Sequence, residues 1–162
     1  MPPRYEPKSE FLKAVLAEKV PLSGGNAAEE NLRRLIAVMH DNDQSNRDWA
    51  TFLLALEDID TPTVREVLLH ATRDSNASVR AEAVWGLARR DPTLALPLVQ
   101  DGLRADSVEI PMLEAAELCA HPSLVADLRI WAEPSDVPYA DKVAADALAA
   151  CEQAAAEDSG LV

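Results

Sequence analysis

Apolar residues recur at three- and four-residue spacing along most of the chain, broken by short polar stretches that carry Asp, Asn, Ser, Thr, Pro or Gly. The clearest block covers residues 74–103. Val79, Ala83, Val84, Leu87 and Ala88 fall on one face of a helix. Asp74, Ser75 and Asn76 offer side-chain oxygens just before it, and Asn76 is the expected N-cap. Arg89 and Arg90 close the helix, where positive charge suits the exposed carbonyl end. Asp91 then caps a second helix with Pro92 in its first position, where a missing N–H costs nothing. Leu94, Leu98 and Val99 are expected to face inward from this second helix. One such pair cannot bury its own apolar face and needs neighbours.

The pattern repeats on both sides. Pro62, Pro92 and Pro122 stand 30 residues apart, and Val64, Leu94, Leu124 and then Leu68, Leu98, Leu128 keep step with them. Among first helices, Arg47, Ala50 and Ala55 match Arg80, Ala83 and Ala88 at an offset of 33, and Leu87, Cys119 and Cys151 are spaced by 32. A strict phase in one helix and a drifting phase in the other predict helix pairs joined by loops of varying length.

Taken in order, the spacing predicts a helix over 9–20, a break over 21–25, and a second helix capped by Asn26. It then predicts a polar loop over 41–46, helices over 47–56 and 62–72 with Thr61 as a cap, the central pair, and a third pair over 107–120 and 122–133. A proline-containing loop over 134–138 leads to an alanine-rich helix over 139–155 and a tail over 157–162. The expected architecture is all-α: about nine helices, no strand, and about four helix pairs in one domain. Residues 1–40 would be N-terminal capping helices behind a loosely ordered, proline-rich start over 1–7. Residues 41–133 would be the repeats, and 134–162 a C-terminal capping helix and tail.

The run from Asp74 through Val79, Arg80, Ala83, Leu87, Asp91, Pro92, Leu94 and Leu98 resembles the short HEAT-like repeat of the phycobilisome-lyase type. The resemblance covers residues 41–151, most strongly in the central unit. The third unit departs from it, with Glu109 near the arginine position and Pro111 early in its helix. It implies a short right-handed α-solenoid whose second helices line a concave side. The repeat period, rather than the resemblance, points to an extended binding surface instead of a catalytic cavity. Arg47 and Arg80 would reach the caps of the following units, Asp74 and Asp106, in partly exposed ion pairs worth under about 1 kcal/mol each.

Composition narrows the partner. Only 4% of residues are aromatic, against 48% hydrophobic, which suits close packing of alanine-rich helices and disfavours a β-sandwich. The formal net charge is −13, which argues against nucleic acid, whose binders need a basic face. From residue 105 onward there are twelve acidic and two basic residues, so most of the surplus lies in the C-terminal third. Two readings stand: solvated helix faces that maintain solubility, or an acidic surface that steers a partner protein with a basic surface. No apolar run is long enough to span a bilayer, and the first residues carry no signal-peptide core. With two cysteines that read as small core residues, the expectation is a reduced, cytoplasmic setting.

No catalytic motif is present: the chain has no HExxH, GxSxG, P-loop, GxGxxG or CxxC. His40, His70 and His121 have no ligand at metal-binding spacing, and Asp41, Asp43 and Asp48 lack the glycine and glutamate of a calcium loop. The chain is therefore expected to need no metal or cofactor and to be no enzyme. The candidate site is the outward side of the second helices: Glu66, His70 and Arg73; Pro97, Gln100 and Arg104; Asp127, Ile130 and Trp131. Trp131 stands at a polar register and is either an interaction hot spot or a plug at the solenoid end. Trp49 and Trp85 are expected in the core. The functional expectation is a scaffold that binds another protein, with a bilin lyase-like subunit or a self-associating assembly protein as rivals.

Overall fold

The computed structural model describes residues 5–160, so the expected N-terminal segment and tail lie partly outside the described residues. Among the described residues there are nine α-helices, one 3-10 turn and no strand. The helices are α1 (Glu10–Leu16), α2 (Asn26–Val38), α3 (Gln44–Leu56), α4 (Pro62–Ala71), α5 (Ala77–Arg90), α6 (Pro92–Leu103), α7 (Ile110–Cys119), α8 (Val125–Trp131) and α9 (Pro138–Asp158), with the 3-10 turn at Pro122–Leu124. The chain forms two compact units, 1–83 and 84–162, whose boundary falls inside α5.

In the first unit, α3 packs on α1, α2 and α4. Its core is Phe11, Leu12, Val15, Leu35, Ala50, Leu54, Val64 and Leu68, all buried. Thr61 caps α4 by accepting the Val64 N–H (3.2 Å), as the sequence predicts. Three boundaries differ from expectation. The first helix stops at Leu16 because Glu18 turns left-handed (φ 57°), and the Glu18 and Lys19 amides fold back on Val15 and Ala14. This is a Schellman stop built without glycine, which leaves no compositional signal. Gly25 (φ 121°), not Asn26, stands at the cap of α2 and makes no side-chain cap bond. The third helix starts earlier than expected, at Gln44, because Asp43 Oδ1 accepts the Ser45 and Asn46 amides.

In the second unit, α7 packs on α6 and α9, and α8 packs on α9. Val99, Leu103, Leu113, Ala115, Ala116, Leu124, Leu128, Ala144 and Cys151 are its core. Asp91 caps α6 by accepting the Leu94 N–H (3.0 Å). The inward stripe of α6 is Ala95, Val99 and Leu103 rather than Leu94 and Leu98: Leu94 is 37% exposed and Leu98 half-buried. Two adjacent apolar stripes run along this helix, and periodicity alone does not say which one turns inward. The helix expected from residue 107 starts at Ile110, behind an extended Glu109, with Pro111 in its first turn. The start expected at 122 is a 3-10 turn, capped by His121 Nδ1, which accepts the Ser123 N–H (3.1 Å). The expected cores of Trp49 and Trp85 are not realised: both are half-buried.

Candidate functional site: the outward side of the second helices

In the first unit, Val64, Leu68 and Ala71 anchor α4 in the core and leave Glu66 and His70 exposed, with Arg73 exposed just beyond the helix end. The His70 ring meets His40 edge-on, with centroids 5.3 Å apart. His70 and Arg73 border a groove of about 410 Å³ that also takes in His40, Asp41, Arg47 and Asp74. Its floor is held by Arg47. Nε donates to Asp74 Oδ2 (2.8 Å) and Nη2 to Asp74 Oδ1 (3.1 Å), a two-pronged pair. Nη1 of the same arginine donates to the carbonyls of Asp41 (3.1 Å) and Asn42 (3.3 Å). Arg80 repeats the second half of this arrangement one repeat on, with Nη1 donating to the carbonyls of Asp74 (2.8 Å) and Ser75 (3.0 Å). Each arginine thus closes the loop that precedes its own helix, and Arg47 also reaches Asp74 as the sequence predicts. Burial alone would raise the Asp74 carboxyl. The Arg47 hydrogen bond, the Asn76 amide and the guanidinium charge outweigh it and hold the carboxyl below its usual range.

In the second unit, the candidate residues of α6 and α8 meet each other. Gln100 Nε2 donates to Ser123 Oγ (2.7 Å), and Arg104 Nε pairs with Asp127 Oδ2 (3.2 Å). Trp131 is half-buried, and its Nε1 donates to the Leu103 carbonyl at the end of α6 (2.7 Å). That carbonyl is one that the helix end leaves unbonded. Ile130 is 67% exposed beside them, and Pro97 is exposed on α6. Ser123 and His121 join this patch through a 2.7 Å contact between the imidazole Nδ1 and the hydroxyl. Sequence reasoning did not single out Ser123. It also missed the approach of His40 to His70, because the two lie on different helix pairs and only tertiary packing joins them.

Nucleophilic chemistry finds no support in the cysteines. Burial pushes the Cys119 thiol up to about 11 and raises Cys151 as well, so both are protonated at neutral pH. Among the described residues, no three His, Cys, Asp or Glu side chains are grouped as a metal site would need, and no helix is long and apolar enough to cross a membrane. The candidate residues thus border a mixed-charge groove in one unit and, in the other, make hydrogen-bonded polar contacts on the helix that carries the exposed Ile130.

Protein YibA from Escherichia coli K12 is 30% identical to this chain over 82 residues, which is 51% of this chain and 29% of YibA. YibA from the O157:H7 strain matches to the same extent. The chain therefore spans less than a third of the length of these curated relatives. The X-ray structure of E. coli YibA superposes with a TM-score of 0.57 at 21% identity, covering 86% of this chain and 54% of that one, a likeness of fold. The HEAT-repeat profile matches residues 32–120, more than half of the chain. With helices in consecutive pairs and no strand among the described residues, the chain belongs to the HEAT-repeat family.

Proposed function

We propose that this chain is a non-catalytic interaction module that binds a partner protein through the outward side of its second helices. HEAT repeats generally mediate protein interactions, and the family membership supports that class of function. The observation that carries the reading is Ile130. It is 67% exposed on α8, one turn after Asp127, which pairs with Arg104, and next to Trp131, which is anchored on the Leu103 carbonyl. An exposed apolar side chain with polar neighbours is a common form of interface contact. Glu66, His70 and Arg73 supply a polar contact surface on α4. The acidic surplus beyond residue 105 would favour a partner with a basic surface and speed its approach.

Affinity capture from native lysate at low and moderate salt, with wild type and Ile130→Asp, tests the proposal. Support is a protein retained by wild type, lost with Ile130→Asp and weakened by salt. Equal retention by both forms removes the second-helix side as the binding surface. The phycobilisome-lyase subtype belongs to the same proposal and rests on the motif from Asp74 to Leu98. A shift in absorbance on mixing with free bilin would replace the scaffold reading with the lyase-type one.

A further inference from the structure

A second feature centres on α3 and does not depend on the reading above. Tyr5 stacks on Trp49 with ring centroids 5.9 Å apart and planes 22° from parallel. Phe52, one turn on, meets the Trp49 ring edge-on at 5.8 Å and 82°. These three rings, with Asp48 and Glu82, line a cavity of about 220 Å³. Three aromatic rings and the Asp48 and Glu82 side chains line it, and among the described residues no basic side chain does.

The Asp48 carboxylate sits half-buried beneath the rings. Its Oδ2 accepts the Tyr5 hydroxyl (3.0 Å), while its Oδ1 is buried with no hydrogen-bond partner, as is Nε1 of Trp49. A buried acceptor and a buried donor left unmet on consecutive residues are uncommon in folded proteins and ask for a reason. Burial also raises the Asp48 carboxyl above its ordinary range, so the surroundings under-stabilise its negative charge.

The chemistry selects among ligands. An anion would face two carboxylates. A neutral apolar group would pack on the rings and leave the carboxylates without a counter-charge. A cation satisfies both, because aromatic faces attract positive charge and the carboxylate pairs with it. We propose that the Tyr5–Trp49–Phe52 cavity takes the cationic head of a lysine or arginine side chain from a partner protein.

The test uses the full chain and the Trp49 indole N–H resonance, identified with Trp49→Phe. Blocked Gly-Lys-Gly, Gly-Arg-Gly and Gly-norleucine-Gly peptides are titrated in turn. A lysine or arginine peptide is expected to shift that resonance with millimolar saturation, and the norleucine peptide to leave it in place. Asp48→Asn, which keeps shape and removes charge, is expected to weaken binding about tenfold. Tyr5→Ala removes a ring that is 57% exposed, and is expected to weaken binding at least about threefold while the fold stays intact. The proposal is overturned by no shift with either cationic peptide, by an equal shift with norleucine, or by unchanged affinity in both variants.

Discussion

Arg47 and Asp74 lie 27 residues apart and meet in a two-pronged ion pair, 2.8 and 3.1 Å, with both side chains mostly buried (16% and 14% exposed). The pair ties the start of α3 to the loop before α5, and Asp74 also accepts the Asn76 amide (2.9 Å) in that loop. One carboxylate therefore serves a neighbouring repeat and the cap of its own.

Arg80 makes the same carbonyl bonds as Arg47 and is shown with no such carboxylate partner. Removing Arg47 leaves a buried carboxylate uncompensated, whereas removing Arg80 leaves two carbonyls, one of them exposed to water. Arg47→Ala should cost about 2–3 kcal/mol and Arg80→Ala about 1 kcal/mol, measured by urea unfolding. This exceeds the sub-kilocalorie value expected for a partly exposed pair, because the surroundings are drier. Equal losses in the two variants would remove the special role of Asp74.

The same pair sets a pH dependence. The Asp74 carboxyl is held below its unfolded value, so its stabilising contribution is complete above about pH 4 and is lost as pH falls through the folded value. Between about pH 5 and pH 2, Asp74→Asn should lose less stability than wild type. Thermal melts of both proteins across that interval check it, and parallel curves would contradict it.

Gly102 on α6 packs directly against Met112 of α7. A Cβ built there would stand 2.6 Å from the Met112 thioether end. Glycine inside a helix costs about 1 kcal/mol relative to alanine, so the close packing of α6 on α7 offsets that loss. Gly102→Val should destabilise by about 2–3 kcal/mol, and Gly102→Ala by less, because the flexible Met112 side chain can shift. Denaturant midpoints of the two variants provide the comparison.

Adjacent residues on α8 should behave in opposite ways. Trp131→Phe removes the bond to the Leu103 carbonyl and should cost about 1 kcal/mol, whereas Ile130→Asp, at an exposed position, should stay within about 0.5 kcal/mol of wild type. Ile130 is thus the position where a binding defect can be read without a folding defect.

What was legible in the sequence is what depends on neighbours along the chain. The Thr61, Asn76 and Asp91 caps, the Pro62 and Pro92 helix starts, and the buried face of Val79, Ala83, Val84, Leu87 and Ala88 follow from local hydrogen bonding and helical spacing. The misses have other causes. Glu18 ends α1 in a conformation glycine usually signals, and α6 offered two apolar stripes of similar weight. Of the candidate residues, Glu66, His70, Arg73 and Ile130 are exposed as their register implies. The bonds of Gln100, Arg104, Asp127 and Trp131 join helices 23 or 28 residues apart, beyond the reach of periodicity. The pairing of Tyr5 with Trp49 is tertiary for the same reason.

The most direct test of partner binding through the second helices is side-chain footprinting of the chain with and without the protein it captures. The account predicts reduced labelling at Glu66, His70, Asp127 and Ile130, with unchanged labelling at exposed first-helix positions such as Glu117 and Leu118. Protection confined to the first helices, or none at the second-helix residues, would contradict it.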